Sequence, residues 1–262
     1  MNRAHVNQAR EVVRRAGQLA VKLSRSEFAH TEKSFANLVT EIDLEVDRQL
    51  KRDLGELHPE AAVVSEEHAS ESIEWENPTW IIDPIDGTTN LIHRYPHFAV
   101  SIALVDSGST NVAIVYDPIA DELFHAQRDR GAFLNDSPVR VSRTAALRDS
   151  IVAFGIPYDR SRAESMMRTA SRVLTECQDI RRAGSSTLDF SYLACGRIDA
   201  YFEFDLEAWD HSGGQLLVRE AGGTATDWKG SQLLAGIKSD VAASNGGIHE
   251  ELLCILNNPG VG

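Results

Sequence analysis

Trp80-Ile81-Ile82-Asp83-Pro84-Ile85-Asp86-Gly87-Thr88-Thr89-Asn90 is the stretch on which the fold reading turns. Three large apolar residues predict a buried strand over 80–82, with Asp83 at its carboxyl end. Open α/β sheets present ligands at such ends. Pro84 biases Asp83 to extended backbone and has no N–H of its own. The chain is expected to turn there, so that Asp86 swings back toward Asp83, and Gly87 permits a tight or left-handed turn. Thr88, Thr89 and Asn90 can cap the next segment and offer hydroxyls and backbone N–H groups to an anion. Two carboxylates forced together repel by about 4 kcal/mol at 4 Å in an effective dielectric of 20. A cation relieves that repulsion, and all-oxygen donors select a hard ion, Mg²⁺ or Mn²⁺. Taken alone, the motif is more often a pair of capping aspartates in a surface turn.

Two further acidic groups shift the balance. Glu66 and Glu67 follow the short apolar strand expected over 61–64. Asp210 lies in Leu206-Glu207-Ala208-Trp209-Asp210-His211-Ser212-Gly213-Gly214. Alone, Asp210 suits the first turn of a helix, where the dipole favours it. Ser212, Gly213 and Gly214 are poor helix formers. Their presence calls for another backbone packing closely or a ligand approaching.

Apolar periodicity predicts helices over 4–24 and 38–57, the second with Thr40 as a plausible N-cap. Strands are expected over 98–105, 112–116 and 122–126, with turns at Asp106-Ser107-Gly108-Ser109 and Tyr116-Asp117-Pro118. Together with the strands over 61–64 and 80–82, that run reads as a long antiparallel meander. Beyond it the pattern alternates: strand 151–154, helices 161–176 and 187–195, strand 199–204, helix 209–221, strand 240–244 and helix 247–257. Such alternation predicts a layered α/β arrangement. One domain over 1–262 is expected, with subdomains 1–147, carrying helices and the antiparallel sheet, and 148–262.

The 262 residues carry 26 Lys and Arg against 39 Asp and Glu, a net charge of −13. That argues against broad nucleic-acid binding and against an anionic membrane. It suits a protein that gathers cations. Trp75, Trp80, Trp209 and Trp228 are too scattered to form a base-stacking platform. Cys177, Cys195 and Cys254 show no metal-ligand spacing, and a sparse odd count suits a reducing compartment. The N-terminal stretch is too polar for a signal peptide, and no apolar run approaches a membrane span. A cytoplasmic location is expected.

These residues together resemble the inositol monophosphatase family. The likeness runs from Lys33 and Thr40-Glu41-Ile42-Asp43 through Ser65-Glu66-Glu67 and the Asp83–Asn90 stretch. It continues through Gly184-Ser185-Ser186, Glu203, Trp209-Asp210 and Glu220-Ala221-Gly222-Gly223, nearest to the bacterial inositol-1-phosphatases. The resemblance implies a layered αβαβα sandwich of the inositol monophosphatase and fructose-1,6-bisphosphatase type. It implies a lithium-sensitive, homodimeric phosphatase using two or three Mg²⁺ ions, with Mn²⁺ as an alternative. Glu67, Asp83 and the Ile85 carbonyl would hold one ion, and Asp83, Asp86 and Asp210 a second. Glu66 and Thr88 would act with Glu67 to orient and deprotonate the attacking water, with Asp43 standing behind Thr88. Asp86, Gly87, Thr88 and Thr89 would meet the phosphate. Gly184, Ser185, Ser186, Glu203 and Asp210 would line the alcohol side of a small phosphorylated cyclitol or sugar.

The chain departs from the family at His211-Ser212-Gly213-Gly214, where small residues usually follow the Trp-Asp pair. It departs again at Leu91, where Phe is usual, and in the short stretch from Glu67 to Trp80. A haloacid-dehalogenase-type phosphatase needs an Asp two positions before the Asp of Asp-Gly-Thr, and Pro84 occupies that place. Two other readings stay open. One is a sibling specificity for histidinol phosphate, fructose 1,6-bisphosphate or a nucleotide or NADP phosphate. The other is a regulatory role through a protein partner, since some bacterial relatives are associated with RNA-polymerase functions. Arg181 and Arg182 could steer an anionic substrate, and His93-Arg94-Tyr95-Pro96-His97 could be a dimer contact or simply a turn.

Overall fold

The computed structural model describes residues 3–34, 37–68 and 77–258. The periodic apolar positions near the N-terminus form α1 (Arg3–Ser24), which buries Val6, Ala9, Val12, Val13, Ala16 and Ala20. A hairpin that the pattern did not announce follows, β1 (His30–Ser34) and β2 (Asn37–Thr40). The helix expected from residue 38 therefore starts later, as α2 (Glu41–Leu57). Leu38 and Val39 pair with Glu32 and Thr31 as strand instead. Thr40 caps α2: its hydroxyl accepts from Ile42 N at 3.1 Å and Asp43 N at 3.3 Å, and Asp43 accepts from Thr40 N at 2.9 Å. This reciprocal box ends the strand and starts the helix at one residue.

The first sheet runs β3 (Ala62–Ser65), β4 (Thr79–Asp86), β5 (Ala99–Asp106), β6 (Ser109–Asp117), β7 (Glu122–Gln127), β8 (Ala132–Leu134) and β9 (Ser137–Val139), in that order. From β4 onward it is the expected antiparallel meander. The first pair differs: β3 and β4 are parallel, with Ser65 opposite Ile82. The two parallel ends therefore deliver Glu66-Glu67 and Asp83 to the same side. β4 also outlasts its three apolar residues. It continues to Asp86, with its register against β5 broken between Asp83 and Asp86. Pro84 lies in that break, where a missing N–H removes no ladder bond. The short helix α3 (Thr88–Ile92) follows directly.

The second sheet is assembled from β10 (Ile151–Phe154), β11 (Asp179–Arg181), β12 (Ala200–Leu206), β13 (Thr224–Asp227) and β14 (Ser239–Ser244). Its order is β11-β10-β12-β14-β13, parallel on both sides of β10 and antiparallel beyond. The helices between them are α4 (Ala163–Glu176), α5 (Ser186–Ala194), α6 (Ala208–Glu220) and α7 (His249–Asn257). Strands β8, β9, β11 and β13 are short and carry no strong alternation, which is why the sequence pattern passed over them.

Side-chain alternation along the strands sorts these pieces into five layers. Val100, Ile102 and Leu104 of β5 pack with α1 and α2 on the outer face of the first sheet. Ala99, Ala113 and Val115 face inward against α5 and α6, which also meet Tyr201, Val241 and Ala243 of the second sheet. Val152, Phe202 and Ala242 face outward against α4 and α7. The order is helices, sheet, helices, sheet, helices, as the resemblance implied. Of the small residues of α6, Gly214 has a packing cause: a Cβ there would come within 2.3 Å of the Phe190 ring of α5, whereas one on Gly213 would meet nothing closer than 3.6 Å. Close approach of two buried helices explains Gly214 without a ligand.

Candidate active site

The carboxyl ends of β3 and β4 set the acidic residues facing one another. Asp83 is buried, at 2% exposure. Burial drives its pKa well above the ordinary carboxylate range, and the charges of Glu66, Asp86, Asp210 and Asp43 push it further. Asp210 is raised for the same reasons, burial first and then Asp86 and Glu66. Burial also lifts Glu66 to about 7, against the pull of Lys33 and with the push of Glu67. The strand end thus concentrates negative charge that the protein alone leaves poorly compensated.

Each of three carboxylates is anchored by one oxygen. Asp83 Oδ1 accepts from Ile85 N at 3.1 Å. Asp86 Oδ2 accepts from Ser185 Oγ, Thr187 N and Thr187 Oγ1 at 2.6, 2.7 and 2.6 Å. Asp210 Oδ2 accepts from Glu207 N at 2.8 Å. The other oxygen of each has no protein donor among the described residues. Glu67 Oε1 is buried and without a hydrogen-bond partner among them. Lys33, reaching in from β1, lies 2.7 Å from Glu67 Oε2 and 3.3 Å from Glu66 Oε1. Burial lowers its pKa, but the two carboxylates outweigh this and raise it.

Oxygen-only donors, crowded charge and an orphaned buried carboxylate oxygen fit a hard divalent cation in chemistry. Among the described residues, though, no three His, Cys, Asp or Glu side chains stand together as a set that could hold a metal. The acids are gathered but not closed around a point, with the Lys33 ammonium on Glu66 and Glu67.

Behind these residues lies a hydrogen-bonded frame. Asp43 is fully buried; its Oδ2 accepts from Thr40, and its Oδ1 lies 2.9 Å from Thr88 Oγ1. Thr88 Oγ1 also stands 3.0 Å from the Ile85 carbonyl, and its single proton serves one of the two at a time. Thr88, Thr89 and Asn90, the caps the sequence suggests, all lie inside α3 instead; Gly87 is the N-cap and makes no side-chain bond. Its φ of 101° and the backbone oxygens of His97 and Gly184, 3.1 and 3.3 Å from where a Cβ would stand, leave room only for glycine. Asn90 Nδ2 donates to His97 O at 2.7 Å and Ala183 O at 2.9 Å, tying the 183–184 turn to the strand end.

Asp86, Gly87, Thr88, Thr89, Gly184, Ser185, Ser186, Glu203 and Asp210, every residue expected on the substrate side, line one cavity of about 430 Å³. That size suits a small ligand. Sequence reasoning missed several other wall residues: Gly155, Tyr158, Arg160 and Asp189. It also missed Asp47, whose Oδ1 accepts from Ser65 Oγ at 2.5 Å while Lys51 lies 2.8 Å from Oδ2, holding the turn that bears Glu66 and Glu67. No local motif marks these residues; only the pairing of distant elements brings them in. His211 points away from the cavity. It is fully buried, its Nε2 lies 2.8 Å from Ile237 O, and burial lowers its pKa to about 4, so it is neutral. Leu91 is buried in the outer core, a packing position. The stretch between Glu67 and Trp80 lies largely outside the described residues.

The inositol monophosphatase family model matches residues 2–259. The chain belongs to this family. Among relatives of this family member, "Nus factor SuhB" of Vibrio cholerae is 39% identical over 97% of the chain and 96% of its own length. The solved extragenic suppressor protein suhB of Bartonella henselae is 34% identical, covers 97% of this chain and 99% of its own, and superposes with a TM-score of 0.90. The Thermotoga maritima IMPase is 30% identical, with 99% and 98% coverage and a TM-score of 0.87.

Proposed function

We propose that this chain is a Mg²⁺-dependent phosphate monoesterase acting on a small cyclitol or sugar phosphate, inositol 1-phosphate foremost. The carrying observation is that Asp86 and Asp210 line the same cavity as Glu203, with the buried Asp83 coupled to both by charge, and that one oxygen of each of these three aspartates has no donor among the described residues. Family membership and the name of the Thermotoga relative support the reading.

Glu67, Asp83 and the Ile85 carbonyl would hold one ion, and Asp83, Asp86 and Asp210 a second, with Mn²⁺ as an alternative metal and a third ion compatible with the same cluster. Bound ions would lower the pKa of water and steady the leaving alkoxide. Gly87, Thr88 and Thr89 offer N–H groups and hydroxyls to the phosphate. Thr88 can accept a hydrogen bond from water while donating to Asp43, which aims the water. Glu66, whose carboxyl burial lifts to about 7, would take its proton. Gly184, Ser185, Ser186 and Glu203 face the alcohol. The halves 1–147 and 148–262 would divide the work, the first supplying most metal donors and the second most alcohol contacts.

We place the protein in the cytoplasm as a homodimer; no described helix is long and apolar enough to cross a membrane. Lithium sensitivity is expected of the same site. The test is phosphate release from a panel of monoesters, including histidinol phosphate, fructose 1,6-bisphosphate and nucleotide phosphates, with and without Mg²⁺ and Li⁺. Metal-independent release, or none, would overturn the reading.

The 39% identity to proteins named Nus factor SuhB favours a second role, through a protein partner in transcription. Co-elution of the purified protein with RNA polymerase, retained in the Asp83→Asn variant, would support it. Absence of any complex would remove it.

A further inference from the structure

Alternation along β12 puts Phe202 outward, against α4 and α7, and Tyr201 inward. Glu203, two residues on from Tyr201, shares its face and lines the cavity. The Tyr201 hydroxyl donates to Glu203 Oε2 at 2.5 Å. Gly155 follows β10 and is bonded to β12 through its N–H, which donates to Phe202 O at 3.2 Å. A Cβ on Gly155 would fall 1.6 Å from Glu203 Oε2 and 2.0 Å from its Cδ. The carboxyl therefore fills the space that any other residue at 155 would need. Glu203 Oε1 has no donor among the described residues.

We propose that Gly155 and Tyr201 are positioning residues for Glu203: one makes room for its carboxyl against the cavity wall, the other binds Oε2, and Oε1 is left for the alcohol hydroxyls. The pair thereby sets which alcohol the site accepts. This rests on the phosphatase reading. Burial lifts Glu203 to about 7, opposed by the Tyr201 bond and by Arg182, and reinforced by Asp86. Asp189 of α5 and Asp210 of α6 complete the charged groups facing it.

The test compares inositol 1-phosphate with phenyl phosphate, whose leaving group has no hydroxyls for Glu203. Tyr201→Phe keeps the ring that fills the core, and Gly155→Ala meets only the movable end of a side chain, so both variants should fold. Each should raise KM for inositol 1-phosphate about tenfold, the size of one lost charged hydrogen bond. In Tyr201→Phe, kcat and the KM for phenyl phosphate should stay put. In a Glu203→Gln background neither change should add anything. Equal effects on both esters, or additive effects in that background, would overturn the proposal. A second readout needs no turnover. In protein with ¹³C-labelled glutamate carboxyls, Glu203 should titrate at higher pH in Tyr201→Phe, because its donor is gone. An unchanged titration overturns the positioning role. If wild type cleaves neither ester, the phosphatase reading falls and the link to alcohol choice with it, while the titration still decides the positioning.

Discussion

Asp199 and Asp83 are both buried aspartates, yet they do opposite things. Asp199 Oδ1 accepts from Ser142 Oγ at 2.5 Å and Oδ2 from Ile151 N at 2.7 Å, so both oxygens are engaged and the carboxylate stitches a loop to β10. Asp83 has one oxygen engaged and three or more like charges around it. Burial therefore does not by itself mark a functional acid. What marks it is an oxygen left free where negative charge accumulates, because a fold keeps such a site only if something outside the chain relieves it.

The sharpest way to break this contrast is Asp83→Asn. It should cut turnover by about a thousandfold or more, since it removes several kcal/mol of metal-mediated stabilisation of the transition state. The fold should survive, as circular dichroism would show. Wild-type kcat at saturating Mg²⁺ would end the bridging assignment. Asp199→Ala should behave in reverse. It should lose about 2–3 kcal/mol in urea unfolding, because it leaves Ile151 N without its acceptor and removes the short bond from Ser142 Oγ, and folded protein should retain its activity. Mg²⁺ at about 100 times its dissociation constant should raise the wild-type Tm by about 5 °C or more, and this gain should vanish in Asp83→Asn but persist in Asp199→Ala. A thermal shift that survives Asp83→Asn would place the ion elsewhere.

The smallest effect concerns Glu203. Its folded carboxyl keeps a proton to about pH 7, which the unfolded chain loses near the ordinary glutamate range. Its contribution to stability is thus full at low pH and lost as pH rises through about 7. Glu203→Gln should remove that slope, so its stability relative to wild type should rise between pH 5 and pH 8. The same variant should alter discrimination among alcohols more than Mg²⁺ affinity. Equal losses on all esters with weakened Mg²⁺ binding would move Glu203 into the metal site.

Most of the layered order was legible because amphipathic period and turn chemistry are local. The limits of that locality are visible in particular residues. Residues 38 and 39 read as the start of a helix, and only the partner strand β1 makes them β2. The parallel pairing of β3 with β4 could not be read from two short apolar runs, though it is what sets Glu66 beside Asp83. Gly155, Asp189 and Tyr201 carry no motif; each matters only because a strand or helix far along the chain comes to lie next to it. His211 shows the converse, an ionisable neighbour of Asp210 that helical geometry turns into the core.

By itself the sequence determined which chemistry was available: carboxylates ending apolar strands, a glycine turn, hydroxyls behind it, and a family likeness along nearly the whole length. These follow from short-range sterics and from residue type. The tertiary structure decided which of those acids share a space, which oxygens are already spoken for, and that the Lys33 ammonium rests on Glu66 and Glu67. Those outcomes depend on contacts between residues tens to more than a hundred positions apart, whose energies arise only when the sheets and helices have closed on one another.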